Sequence, residues 1–123
     1  MFFTSGFTEQ DLLTEVSWVD VRDIAEAHAV VLEKEEAGGE RILVSASAVP
    51  NQEFIEAAKR AAASLGIKGV QTGVKNYDRA NATRFVRFSP AKRERILGIT
   101  MTSVDDSIRD TIADFKERGW VSA

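Results

Sequence analysis

The 123-residue sequence has no cysteine, two prolines and a single histidine. Without cysteine there is no disulfide framework, no thiol nucleophile and no zinc–thiolate site. With one histidine and no ligand-spaced carboxylate pair beside it, no metal site is expected. Nothing approaches the run of about 18 apolar residues that a membrane helix needs. The opening "MFFTSGFTEQD" lacks the basic and apolar regions of a secretory leader, so a cytoplasmic location and no membrane partner are expected. The acceptor pattern Asn81-Ala82-Thr83 is therefore read as idle. There is also no repeat, low-complexity stretch or linker, and the expectation is a single domain over 1–123.

What is present belongs to an ordinary globular chain, 44% hydrophobic and 28% charged, long enough to bury a core. The net charge of −3 hides a segregation. Residues 1–67 hold 12 acidic and 5 basic side chains, whereas 68–95 hold 8 basic and 2 acidic. Arg79, Arg84, Arg87, Lys92, Arg93 and Arg95 are interleaved with Phe85 and Phe88. Such a stretch can meet an anion or nucleic acid, or it can be a solvated face; the acidic overall charge favours the second.

Periodicity predicts alternating strands and helices. Thr8 caps a short helix. "VSWVDV" (16–21) reads as a strand. A helix follows, capped by Asp23, with Val21, Ile24, Ala25, His28, Val31 and Leu32 on one face. "RILVSAS" (41–47) reads as a second, buried strand. Pro50 opens a helix through Leu65 with Phe54, Ile55, Ala58, Ala62 and Leu65 inward, and Gly66 ends it. Residues 67–88 read as a short strand and a long loop. Ser89-Pro90 opens another helix. Ser103 opens the last one, with Ile108, Ile112 and Phe115 inward and Gly119 at its end. Strand–helix–strand at this spacing predicts an α/β fold with a parallel sheet, and two strands make only an incomplete one.

Candidate chemistry is thin. "GIKGVQTG" has the wrong glycine spacing for a phosphate loop and follows a helix rather than a strand. His28, on an apolar stripe, reads as a packed residue rather than a base or a ligand. Asp23 reads as a cap, and Asp20, within the strand, needs a partner such as Arg22. Ser45 and Ser47 have no base or elbow motif beside them.

The stretch "WVDVRDIAEAHAVVLEKEEAGGERILVSAS" resembles the C-terminal half of extended short-chain dehydrogenases/reductases, in the branch of dihydroflavonol-reductase-like and fungal ketone/aldehyde reductases. "SPAKRERILGITMTSVDDSIRDTIADFKERG" is similar to that family's closing pattern, with Leu97-Gly98 between two helices. The resemblance runs from about residue 16 to 119. It implies a partial Rossmann-like fold and a parent enzyme that reduces a small ketone or aldehyde with NADP or NAD. Asp23, His28, Gly39 and Arg41 match structural positions of the family, none of them catalytic.

The departures matter more. The family's glycine-rich cofactor loop has no counterpart here. Its catalytic tyrosine is followed four residues later by a lysine, whereas Tyr77 is followed at that distance by Asn81. No catalytic, cofactor-binding or metal-ligating residue is therefore expected in this chain, and no cofactor is expected to bind it alone. Val16-Ser17 ahead of Trp18, with no R-x-x-D between Ile67 and Ser89, also departs from members acting on nucleotide sugars. Phe2, Phe3, Phe7 and Trp18 are the candidates for lining an apolar substrate pocket in the parent enzyme, with core packing as the other explanation. Three expectations remain open: a substrate-side portion of a reductase, a noncatalytic module associating through an exposed sheet edge, and an anion- or nucleic-acid-binding domain over 79–95.

Overall fold

The computed structural model describes residues 3, 6–84 and 86–122. Five helices and two strands follow one another: α1 (Glu9–Leu13), β1 (Glu15–Trp18), α2 (Val21–Glu33), β2 (Ser47–Pro50), α3 (Asn51–Leu65), α4 (Ala91–Ile96) and α5 (Val104–Glu117). Short 3₁₀ turns lie at Glu35–Ala37 and Arg79–Asn81. β1 and β2 pair as a two-stranded sheet. The α/β class and the incomplete sheet are as expected, but the direction is not. Ala46 N–H donates to Trp18 O at 2.8 Å and Asn51 N–H to Thr14 O at 3.1 Å, so the strands run antiparallel. Among the described residues parallel pairing appears only as a single bridge between Thr14 and Thr83.

The second strand is also displaced. Residues 41–45, expected to form most of it, make no backbone–backbone hydrogen bond among the described residues; the pairing with β1 is entered by Ala46 and the strand begins at Ser47. Alternation and β-branched content describe a segment that would suit a sheet; a strand exists only where another backbone meets it.

The contacts gather into two compact units. The larger comprises 1–16, 49–85 and 103–123. In it α3 packs on α5, burying Ile55 and Ile112 completely beside Ala57, Ala58, Ala61 and Ala62. This alanine-rich face of α3 lets the two helices approach closely. Lys116 Nζ donates to Leu65 O at 2.7 Å at the end of α3, where Gly66 takes the left-handed conformation (φ +68°) that closes the helix. Gln52, fully buried, accepts from Val74 N–H at 2.9 Å and donates to Glu56 Oε1 at 2.6 Å. Its amide lies where a Cβ on Gly73 would stand, and Gly73 has φ +75°. The third glycine of "GIKGVQTG" thus makes room for a buried amide rather than for a phosphate.

Capping followed sequence at both ends of this unit. Thr8 and Asp11 form a reciprocal box at α1. Ser103 Oγ accepts from Asp106 N–H at 3.1 Å and donates to its carboxylate at 2.7 Å. The Ser103 hydrogen bond, with Arg109 behind it, holds the Asp106 carboxyl below the usual range. A group shifted in this direction contributes at neutral pH and loses its contribution as acid protonates it. Ser103→Ala should lower stability by about 1 kcal/mol at neutral pH. Urea unfolding at pH 7 and pH 3 checks this, and a loss that is no smaller at pH 3 would contradict the charge-assisted cap.

The smaller unit comprises 17–48 and 86–102. Its core is Ala27, Ile96, Leu97 and Ile99, with Val30, Val31, Ile42, Val44 and Met101 packed around it. α2 corrects two expectations. Its cap is Asp20, whose side chain accepts from Arg22 N–H, so the helix starts at Val21 and the strand ends before Asp20. Its apolar stripe is also only half covered. Ala27 is buried and Ile24 and Val31 are half-buried, but Val21 is 76% and Leu32 87% exposed. His28 is exposed as well, not packed. Periodicity finds the apolar face of a helix; what covers that face is a tertiary matter.

Candidate functional site

Asp20 and Asp23 carry the polar structure at the start of α2. Asp20, buried, accepts from Arg22 Nε at 2.9 Å and from Arg22 Nη2 at 3.0 Å, a two-pronged pair that also fixes the helix cap. Asp23, 3% exposed, accepts from Thr102 N–H at 2.8 Å and from Thr102 Oγ1 at 2.6 Å. Both of its oxygens are thereby used to tie α2 to the chain leaving Met101. Asp23 is a clamp rather than the helix cap.

Beside α2 lies an open apolar concavity of about 210 Å³, lined by Ile24, His28 and Val31 of α2, by Leu43 and Val44, and by Leu97. His28 is its one titratable group. The His28 Nδ1 stands 2.6 Å from Ile24 O, and a carbonyl only accepts, so Nδ1 donates to it. General acid–base work needs a second group to orient the imidazole and a reacting group within reach. The concavity offers neither.

Tyr77 lies in the larger unit, in an open polar groove of about 450 Å³ that also includes Lys59, Lys75 and Thr72. Its hydroxyl donates to Glu53 Oε1 at 2.9 Å. Burial, and then the hydrogen bond to Glu53, push the phenol well above its ordinary value. A tyrosine that protonates a carbonyl oxygen works from a lowered pKa beside a cation. Here the neighbouring Lys59 donates instead to Glu56 at 2.9 Å, and Asn81 sits in the 3₁₀ turn. The local field opposes that chemistry.

Of the candidate lining residues, Phe2 lies outside the described residues. Phe3 is half-buried and Phe7 43% exposed in the larger unit. Trp18, in the smaller unit, is half-buried and donates from Nε1 to Ser47 Oγ at 3.1 Å. The basic segment is partly spent on the fold itself. Lys92 donates to Glu40 at 2.7 Å and holds that carboxyl below the usual range. Arg93, 5% exposed, donates from Nη1 to Ser45 O at 2.9 Å and from Nη2 to Glu94 at 3.0 Å. Phe85 lies outside the described residues. Gln52, Arg93 and Thr102 were not singled out from sequence. For Gln52 a signal existed: a polar residue one turn before Ile55, on the buried stripe of α3.

Among the described residues no group of three or more His, Asp or Glu side chains could hold a metal ion, and no helix is long and apolar enough to cross a membrane.

The two-stranded sheet and the helices around it are similar to part of an oxidoreductase, and in particular of a reductase. In structure the chain is similar to a reductase engineered to attenuate substrate inhibition in asymmetric catalysis, with a TM-score of 0.64 and 27% identity over 80% of this chain. In sequence it is similar to an uncharacterized oxidoreductase of Saccharomyces cerevisiae, 29% identical over 107 residues, which is 82% of this chain. The chain spans 29% of the length of each. No protein-family model matches it.

Proposed function

We propose that this chain is the C-terminal, substrate-side portion of an extended short-chain reductase that uses NADPH or NADH to reduce a small ketone or aldehyde, and that it is inactive by itself. The observation that carries this reading is the similarity to a reductase over 80% of this chain but 29% of that one. The Asp20–Arg22 and Asp23–Thr102 arrangements support it, being structural devices of a seam rather than reacting groups. The raised Tyr77 phenol, turned to Glu53, supports the lack of activity.

Two measurements test this. The purified chain with NADPH and a panel of ketones and aldehydes should show no nicotinamide oxidation above buffer; turnover would overturn the inactivity. The DNA immediately upstream of Met1 should encode, in frame, a glycine-rich strand–loop–helix and a Tyr-x-x-x-Lys pair, and finding neither would defeat the assignment as a portion of a reductase. A second reading, a noncatalytic module that pairs through a sheet edge, draws on 41–44, which make no backbone hydrogen bond among the described residues. It expects a cooperative melt whose midpoint NADPH leaves unchanged.

A further inference from the structure

We propose that Ser89 is a phosphorylation site, the acceptor of a proline-directed serine/threonine kinase, and that its phosphate draws Lys92 away from Glu40. All the groups concerned lie in the smaller unit.

The sequence narrows the acceptor to one position. The chain has two prolines, Pro50 behind Val49 and Pro90 behind Ser89, so Ser89 is its single serine or threonine followed by proline. A kinase that reads proline there offers a pocket for a residue that brings no N–H to be buried unmet. Lys92, three places after the serine, is the basic residue such kinases favour, and Arg87 adds a cation two places before it. The backbone fits as well. Residues 86–90 belong to no helix or strand and are all exposed, as suits a segment that has to lie extended in a kinase cleft. Beyond them α4 is six residues long, too short to resist fraying of its first turn. Ser89 Oγ makes one hydrogen bond among the described residues, accepting from Ala91 N–H at a long 3.4 Å, and its proton has no acceptor there. The accessibility of this serine does not rest on an uncovered apolar face. Lys92, Glu94 and Arg95 make the outer side of α4 charged, as a solvated face is.

In the transfer, Ser89 Oγ bonds to the γ-phosphorus of ATP as the bond from that phosphorus to the bridging oxygen breaks. ADP leaves, and the hydroxyl proton passes to the carboxylate base of the kinase. The phosphoserine carries a charge of about −1.5 to −2. Lys92 without it donates to Glu40 Oε2 at 2.7 Å, with the two side chains 45% and 39% exposed. An ion pair so open to water holds weakly. The phosphate stands one helical turn before Lys92, where side chains three apart meet, and offers more charge than a carboxylate. Lys92 therefore changes partner, the tie between α4 and the chain at residue 40 is released, and Glu40 keeps only the weaker field of Arg95.

The proposal goes beyond the functional reading and does not depend on it. Incubating the purified chain with ATP and a cyclin-dependent kinase should add one phosphate, which fragment mass spectrometry places on Ser89. Ser89→Ala should take up none, and Ser89→Thr should restore the uptake. Lys92→Ala, at an exposed position, should keep the circular dichroism of the parent and lower kcat/KM for phosphorylation about tenfold, as the loss of one charge-assisted contact to the kinase would. In the phosphorylated chain an NMR titration should find the Glu40 carboxyl moved up toward the ordinary range, away from the lowered position that Lys92 imposes. Asp106, in the larger unit, should titrate as before. A chain that takes no phosphate, a phosphate that Ser89→Ala retains, or a Glu40 carboxyl that phosphorylation leaves in place would each overturn the proposal.

Discussion

Replacing Asp23 with alanine should cost about 3 kcal/mol of folding stability. The carboxylate is 3% exposed and serves two donors of one residue, Thr102 N–H at 2.8 Å and Thr102 Oγ1 at 2.6 Å. Hydrogen bonds to a charged acceptor are worth more than neutral ones, and removing the acceptor strands a half-buried backbone N–H that water reaches poorly. Asp23→Asn tests the chemistry rather than the size. Its amide can accept from Thr102 N–H and donate to Thr102 Oγ1, a hydroxyl that also accepts, so the contact is kept without the charge and the loss should be smaller than for Asp23→Ala. Urea unfolding of the parent, Asp23→Ala, Thr102→Val and the double variant forms a cycle, with a coupling of about 1–3 kcal/mol expected. A loss below about 1 kcal/mol for Asp23→Ala, or additive singles, would remove Asp23 from its role as the clamp of α2.

Ile112→Ala should cost about 2–5 kcal/mol, the largest loss expected from a single truncation here. Ile112 is completely buried on α5, and the facing helix α3 presents Ala57, Ala58, Ala61 and Ala62. Alanine has no side-chain freedom with which to fill a new hole, so the cavity term adds to the lost transfer energy in full. Ile112→Val, about 1 kcal/mol, provides a readable point if the alanine variant is unfolded outright. The checking measurement is the urea midpoint at unchanged slope, which separates a change in stability from a change in the denatured state. A midpoint shift for Ile112→Ala no larger than that for Ile112→Val would mean that α3 and α5 collapse onto the space.

How much of this was legible beforehand can be judged element by element. The Thr8 and Ser103 caps, the helix from Pro50 to its glycine stop and the inward positions Ile108 and Ile112 all followed from local chemistry. A hydroxyl three residues from its amide partner, or an apolar residue every third or fourth place, specifies its own geometry within one or two turns. The start of α2 was misplaced because Asp20 and Asp23 are both competent caps, and only the course of the chain at Thr102 decides which one is free to act. The strand at 41–47 was misplaced because its composition suits a sheet whether or not a partner backbone is there to complete it.

The site divides in the same way. The lack of a catalytic pair could be read from Tyr77 and Asn81 alone, since four positions apart with no lysine is a property of the chain. The direction of the Tyr77 hydroxyl, toward Glu53, could not, because the two lie on separate elements. Sequence by itself therefore determined the helices, most of their ends and the resemblance to reductases, all of which rest on residues near one another along the chain. Tertiary structure alone decided which half of the α2 stripe is covered, that Asp23 grips Thr102, that Gly73 makes way for Gln52, and that 41–44 make no backbone hydrogen bond among the described residues. These depend on pairs brought together from distant parts of the chain, and no local pattern encodes which distant group arrives.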